Sequence, residues 1–240
     1  MYFFDSRVRY SETDEEGKLG IPGIVDYFQD VSTFQSEDLG LGVEYLKGLG
    51  LVWVMSAWQI VIHSYPRLGD RIRVGTFPYE FKGFMGLRNF FLDGEDGQRM
   101  AEANSVWTLM NLEKGIPARP TAEMIGRYVL EERLPMDYAS RKIAVADRGE
   151  AKEPFTVGMQ HLDSNHHVNN GQYIHMAMEY LPEDFAVGQM RAEYKKSALL
   201  HDTVHPFVGF GEGTVTVSLC DGRDSPYAVV EFARAKKKQN

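Results

Sequence analysis

Three side chains able to move protons or hold a water stand at alternate positions in the second half of the chain: Asp163, Asn165 and His167. They lie in the run His161-Leu162-Asp163-Ser164-Asn165-His166-His167-Val168-Asn169-Asn170-Gly171-Gln172-Tyr173, the densest polar cluster of the sequence. Six of the seven histidines fall between His161 and His205. In an extended segment alternate side chains point to one side, so an acid, an amide and an imidazole are expected on a common face. Apolar residues at helical spacing follow directly: Tyr173, Ile174, Ala177, Met178 and Leu181, with Pro182 as the stop. The cluster therefore feeds a helix N-terminus, where free backbone N–H groups favour developing negative charge. That combination suits acid–base attack of water on an electrophile. Two other readings use the same residues. Asn169 or Asn170 can simply cap the helix, with the histidines in a solvated turn. The histidines can also ligate a metal, although the chain has no H-E-x-x-H and no pair of cysteines, so a tight zinc pattern is lacking.

Composition sets the frame around this cluster. The chain has 240 residues, 43% of them hydrophobic, enough for one large or two small cores. Its formal net charge of -8 argues against broad nucleic-acid binding, which draws on a basic face. The one basic run, Lys236-Lys237-Lys238, reads as a solvated tail. Cys220 is the single cysteine, so no internal disulfide can form, which fits a reducing compartment. The first residues lack the apolar core of a signal peptide, and no apolar run reaches membrane-spanning length. A cytoplasmic protein without cofactor is the expectation, monomeric or paired as a homodimer through edge strands.

The elements that must position the cluster come twice. Residues 7–20 predict a short strand and a charged turn, then a long helix starting near Pro22, with Ile24, Tyr27, Phe28, Val31 and Phe34 on one face and Leu39-Gly40 at its end. Strands are expected at 51–62, 71–74, 86–92 and 103–110. Prolines punctuate 113–155, with one short helix near Thr121, which would cap it. The second half predicts a strand over 155–159, the polar cluster, a helix over 171–181, and strands at 190–195, 203–209, 214–219 and 227–233. The fold class is α+β, a long helix on an antiparallel sheet in each half. Expected boundaries are 1–130 for the first domain, 131–155 for a linker and 156–240 for the second.

The halves align by offset. Asp14 matches Asp163 at 149, and Asp70 matches Asp202 at 132. The shorter second helix and the loss of the 40–50 segment account for the difference, so an internal duplication is expected. At offset 149, Asn165 meets Glu16 and His167 meets Lys18, so one site per chain is predicted, in the second half. The first half is then left to hold an apolar ligand, with Trp53, Met55, Trp58, Phe81 and Phe84 as candidate lining or, equally, as ordinary core.

At this point the residues resemble those of the acyl-ACP thioesterases, a tandem hot-dog family. Leu162 to Asn170 with Tyr173-Ile174 is similar to the family's Asp-x-Asn-x-His-Val-Asn-Asn signature. Trp53-Val54 through Gln59-Ile60, then Tyr65-Pro66 and Gly69-Asp70, resemble a first-half strand and turn; Ser105 to Asn111 and Glu193-Tyr194-Lys195-Lys196 resemble two further segments, all in the family's order. The resemblance implies hydrolysis of a fatty acyl thioester on acyl carrier protein. Asp163 would be general base or nucleophile, Asn165 would orient water or substrate, and His167 would stabilise charge or protonate the leaving sulfur. Backbone N–H groups near Asn170 and Gly171 would receive the carbonyl oxygen, and Trp53 and Trp58 would face the acyl chain. Family members often carry an acid after the Glu-Tyr-basic-basic segment, sometimes followed by cysteine. Here those positions are Ser197 and Ala198. Ser197 can hydrogen-bond a water but cannot take its proton. Glu193, four residues back on the same strand face, is the nearest acid that could substitute. An acidic carrier protein implies a local basic dock, with Arg141, Lys142, Arg191, Lys195 and Lys196 as candidates. The alternatives are an acyl-CoA thioesterase, a non-catalytic acyl-binding regulator and a dehydratase on the same scaffold.

Overall fold

The computed structural model describes residues 1–145, 149–163 and 165–235. Ser164 of the signature and the Lys236-Lys237-Lys238 run lie outside the described residues. The chain forms two compact units. The first comprises Met1–Ser56 and Ile62–Tyr138; the second comprises Ala57–Val61 and Ala139–Asn240.

In the first unit, β1 (Tyr2–Arg7), β3 (Arg71–Lys82), β4 (Met85–Gly94), β5 (Arg99–Asn111) and β2 (Leu51–Ile62) lie side by side in that order. The short β6 (Ile116–Pro117) pairs with β5. Helix α1 (Ile21–Asp38) packs on this sheet, against β1, β3 and β4. Its sequence dictates the contact: Ile24, Val25, Phe28 and Val31 recur every three or four residues and are fully buried. Phe28 meets Phe90 of β4 with ring centroids 5.3 Å apart. Pro22 falls in the first turn, and Gly40 takes φ 66°, the left-handed conformation that ends a helix. A short α2 (Val43–Gly48) follows, within the 40–50 segment that the second half lacks. Helix α3 (Ala122–Gly126) is capped as expected, with Thr121 Oγ1 accepting the Met124 N–H at 3.2 Å.

In the second unit the sheet order runs from the Ala57–Val61 part of β2 through β9 (Val187–Tyr194), β12 (Pro226–Arg234), β11 (Thr214–Cys220) and β10 (Thr203–Gly211) to β7 (Glu150–Ala151). The two-residue β8 (Phe155–Thr156) pairs with the start of β10. Helix α4 (Asn170–Met178) packs on β11 and β12 with Tyr173, Ile174 and Ala177 inward. It ends before Leu181, shorter than the apolar pattern suggests. The strand expected over 155–159 also breaks after Thr156, because the chain turns into a 3-10 helix at Met159–His161. None of the described helices is long and apolar enough to cross a membrane.

Candidate active site

Asp163, Asn165 and His167 do not lie on an extended strand. The Asp163 N–H donates to the His167 carbonyl at 2.8 Å, the His166 N–H donates to the Asp163 carbonyl at 3.1 Å, and Leu162 and Val168 form an antiparallel bridge across the base. The common-face argument for Asp163, Asn165 and His167 therefore fails. They share a tight turn instead, built because an aspartate can hold its own backbone more strongly than alternation can keep the chain straight. Asp163 Oδ1 accepts the N–H groups of Asn165 (2.8 Å) and His167 (3.2 Å). Among the described residues, its Oδ2 makes no hydrogen bond. His166 sits at φ 61°, the left-handed corner that closes the loop. Asp163 is half-buried, and Asn165 and His167 are exposed.

The first unit contains the same turn with Glu16 and Lys18 in place of Asn165 and His167. Asp14 Oδ1 accepts from Glu16 and Lys18, both at 2.9 Å; the Asp14 N–H donates to Lys18 O at 2.9 Å; Gly17 occupies the corner at φ 71°. The receiving loop repeats as well. The Leu19 N–H donates to Pro66 O, as the Val168 N–H does to Ala198 O. Arg67 donates to Asp70 Oδ2 and Leu199 to Asp202 Oδ2. Both predicted offsets, 149 and 132, recur bond for bond. The duplication is thus written in the backbone hydrogen bonds.

Helix α4 fixes the turn from the other side. Asn169 is its N-cap, with Oδ1 accepting the Gly171 N–H at 2.8 Å. One of the two backbone donors expected for a carbonyl oxygen, Gly171, is therefore committed to the cap. Tyr194 of β9 donates its hydroxyl proton to the Asn170 carbonyl (3.0 Å), and the Tyr173 hydroxyl accepts the Ala198 N–H (2.8 Å). These tyrosines lock the helix start and the 197–199 loop together; the sequence placed Tyr173 only on the apolar helix face and gave Tyr194 no role of its own. Burial pushes the Tyr173 phenol up to about 12, the nearby charges of Asp202 and Asp163 adding to the rise. Tyr194 is raised in the same way by burial.

The remaining candidates divide. Ser197 is exposed and adjoins Ala198, the residue that receives Val168, so its segment lies beside the turn; the His167–Leu199 bridge holds it there. Glu193 is already engaged: Oε2 accepts the Ile143 N–H at 3.0 Å and Oε1 pairs with Lys195 at 3.2 Å. Three of the expected docking cations also have acidic partners, Arg191 with Glu231, Lys195 with Glu193 and Lys196 with Asp221. Trp53 and Trp58 fall in different units. Trp53 meets Phe81 at 6.2 Å, and Phe81 meets Tyr128 at 5.6 Å, whereas Trp58 is buried in the Ala57–Val61 piece. Cys220 is buried, and its thiol is pushed up to about 11, first by that burial and then by Asp224 and Asp221. It is a structural thiol, far from the reactive range. Among the described residues, no group of three or more His, Cys, Asp or Glu side chains could hold a metal ion.

Two units, each with a helix on an antiparallel sheet, define a duplicated scaffold, with the acid-amide-imidazole turn before the helix of the second. Residues 2–128 match the acyl-ACP thioesterase N-terminal domain and residues 145–207 match the acyl-ACP thioesterase C-terminal domain, so the chain belongs to the acyl-ACP thioesterase family. It is similar to a chloroplastic palmitoyl-acyl carrier protein thioesterase of Arabidopsis thaliana, 33% identical over 160 residues, which cover 62% of this chain and 37% of that protein. It is also similar to a chloroplastic acyl-[acyl-carrier-protein] hydrolase of Cuphea viscosissima, 25% identical over 189 residues, covering 73% of this chain and 45% of that one. The chain spans less than half the length of these relatives. Among solved structures, an acyl-ACP thioesterase from Bacteroides thetaiotaomicron matches with a TM-score of 0.89 at 20% identity, covering 97% of both chains. The 12:0-ACP thioesterase of Umbellularia californica matches with a TM-score of 0.84 at 18% identity, covering 98% of both. These likenesses give the hot-dog fold, twice in one chain.

Proposed function

We propose that this chain hydrolyses the thioester of fatty acyl chains carried on acyl carrier protein. The observation that carries this reading is the Asp163 turn: one carboxylate oxygen holds Asn165 and His167 in place, and the other makes no hydrogen bond among the described residues. In the reaction, water attacks the thioester carbonyl carbon, with Asp163 Oδ2 taking its proton or attacking first as nucleophile. The oxygen gains charge near the Asn170 N–H and the positive end of the helix. The carbon–sulfur bond then breaks, and His167 stabilises the thiolate or protonates it. Asn165 orients water or substrate, and Ser197 hydrogen-bonds the same water. Glu193 takes no part, since both its oxygens serve the fold.

The aromatic rings Trp53, Phe81 and Tyr128 of the first unit are proposed to receive the acyl chain, which leaves the second unit to the chemistry. The chain works with carrier protein as its partner and without cofactor. Its one buried thiol suits a reducing compartment. The test is hydrolysis of acyl-ACP and acyl-CoA of the same chain length, by the wild type and by Asp163→Asn. Rapid release from acyl-ACP that disappears in the variant is the expected result. Preference for acyl-CoA would move the partner, and turnover on neither substrate would overturn the reading.

A further inference from the structure

A groove of about 330 Å³ opens on the second unit beside the polar turn. Its polar wall is His161, Gln172, His175 and Glu179; its apolar wall is Phe155, Met176 and Tyr180. Gln172, His175, Met176 and Glu179 stand at i, i+3, i+4 and i+7, one face of α4 and its end. His161 belongs to the 3-10 turn two residues before Asp163, and its carbonyl accepts the Asn169 N–H at 2.9 Å. The groove is therefore walled by residues that flank the polar turn on both sides in sequence, His161 before it and Gln172 after it.

The duplicated first unit explains why the space exists. At offset 149, Met176 corresponds to Tyr27, His161 to Glu12 and Phe155 to Ser6. Tyr27 spans that place in the first unit: its hydroxyl donates to Glu12 Oε2 at 2.8 Å and lies 3.2 Å from Ser6 Oγ. With methionine in place of tyrosine, the second unit has no such bridge, and the wall residues stand apart. One half fills the position; the other leaves it open, next to the turn that carries the chemistry.

The lining selects the occupant. It holds donors and acceptors together: a carboxamide, a carboxylate, a phenol and two imidazoles. His161 Nδ1 accepts the Gly158 N–H at 3.0 Å, which leaves the proton of the neutral ring on Nε2, an atom 3.4 Å from Gln160 Nε2. Among the described residues no lysine or arginine lines the groove, and Glu179 does, which disfavours a phosphate or nucleotide. The volume is at the small end for a ligand site. Gln172 and Glu179 are seven residues apart, about 10 Å along the helix. A narrow, neutral chain with amides and methylenes in alternation fits that length and that mixture.

We infer that this groove binds the pantetheine arm to which the acyl group is thioester-linked. The inference rests on the proposed thioester hydrolysis and adds where the handle lies. Gln172 and His175 pair with its amides, Glu179 accepts an amide N–H, and Met176 and Phe155 pack on its methylenes. Carrier protein and coenzyme A share this arm, so the groove reads the arm and not the body behind it.

The first measurement is the ratio of kcat/KM for acyl-pantetheine to that for the same acyl group on 2-mercaptoethanol, which has no amides. Wild type should favour the pantetheine ester. In the double variant Gln172→Leu, His175→Phe that ratio should fall roughly tenfold, the loss expected for two amide hydrogen bonds. An unchanged ratio overturns the inference. Acyl-ACP and acyl-CoA should lose the same factor; a loss confined to acyl-CoA would put the nucleotide in the groove and overturn it too. The second measurement needs no turnover. In Asp163→Asn labelled at methionine methyl groups, pantetheine should shift the Met176 resonance, and Gln172→Leu with His175→Phe should abolish the shift. An unmoved Met176 signal at millimolar pantetheine overturns the inference. Failure of the proposed hydrolysis would instead appear as no turnover of any ester by the wild type.

Discussion

The two aspartate turns make a matched pair for separating structure from chemistry. Asp14 and Asp163 each accept two backbone N–H groups through one carboxylate oxygen, at 2.9 and 2.9 Å and at 2.8 and 3.2 Å. Replacement by alanine removes both bonds, and such side-chain caps at partly exposed sites contribute about 1–2 kcal/mol. For a chain of this length that corresponds to a fall in Tm of about 2–8 °C. Replacement by asparagine keeps an acceptor oxygen and removes only the charge, so the melting change should stay within about 0.5 kcal/mol of zero at either site. Activity should then divide the pair. Asp163→Asn should lower kcat by at least about a hundredfold, the usual worth of a positioned base. Asp14→Asn should leave it alone, because the first-unit turn carries Glu16 and Lys18 where the second carries Asn165 and His167. Thermal melting and steady-state turnover of acyl-ACP on the four variants give the answer. If Asp163→Asn melts and turns over like Asp14→Asn, the Asp163 carboxylate only closes its turn, and the assignment of chemistry to it is refuted.

Other predictions follow from single features. His166→Gly should raise Tm, since a non-glycine residue at φ 61° is strained by about 1 kcal/mol, and turnover should persist; a lower Tm would show that the imidazole makes up for the strain. Asp221 is held down to about 2, first by Lys196 and then by the Arg223 and Ser225 N–H groups. Its stabilising contribution is present above the ordinary carboxylate pKa and is lost as pH falls through about 2. Lys196→Met should raise the NMR titration midpoint of Asp221 part of the way back, and an unmoved midpoint would contradict the pairing. Cys220→Ser should retain turnover, and in the wild type the buried thiol should resist aromatic disulfide reagents at pH 8 until denaturant is added. Added salt should slow turnover of acyl-ACP more than that of acyl-pantetheine if charge guides docking, and equal responses would count against it.

Much of the frame was legible because apolar spacing is a local property. The α1 face from Ile24 to Val31, the cap at Thr121 and the left-handed glycine at Gly40 follow from residue types alone, whereas Phe34, expected on that face, is exposed. Strand lengths were less so. Only 71–74 of β3 was expected, from its alternation; the strand runs on to Lys82, passing Pro78 at a bulge between Pro78 and Glu80. The polar trio was legible as chemistry but not as geometry. Alternation suggested a flat face, and the aspartate made a turn. The Tyr173–Ala198 bond and the groove were illegible for a different reason: each depends on residues distant in sequence meeting. The polar stripe Gln172, His175, Glu179 on an otherwise apolar helix was the available signal. The comparison of Met176 with Tyr27 needed the repeat to be established first.

One strand makes synthesis of this chain a problem of timing. Ala57–Val61 belongs to the second unit and pairs with β9, where Gln59 meets Gln189, 130 residues later. At ribosomal speeds of 5–20 residues per second, that stretch of β2 waits roughly 6–26 s for its neighbour. During that interval its backbone donors and acceptors are an open template for another chain. The second unit also cannot be produced by cutting at Ala139, because the piece so released lacks a strand of its own sheet. Gene halves expressed separately should therefore aggregate, and a chaperone able to shield a nascent strand should raise the yield of the whole chain.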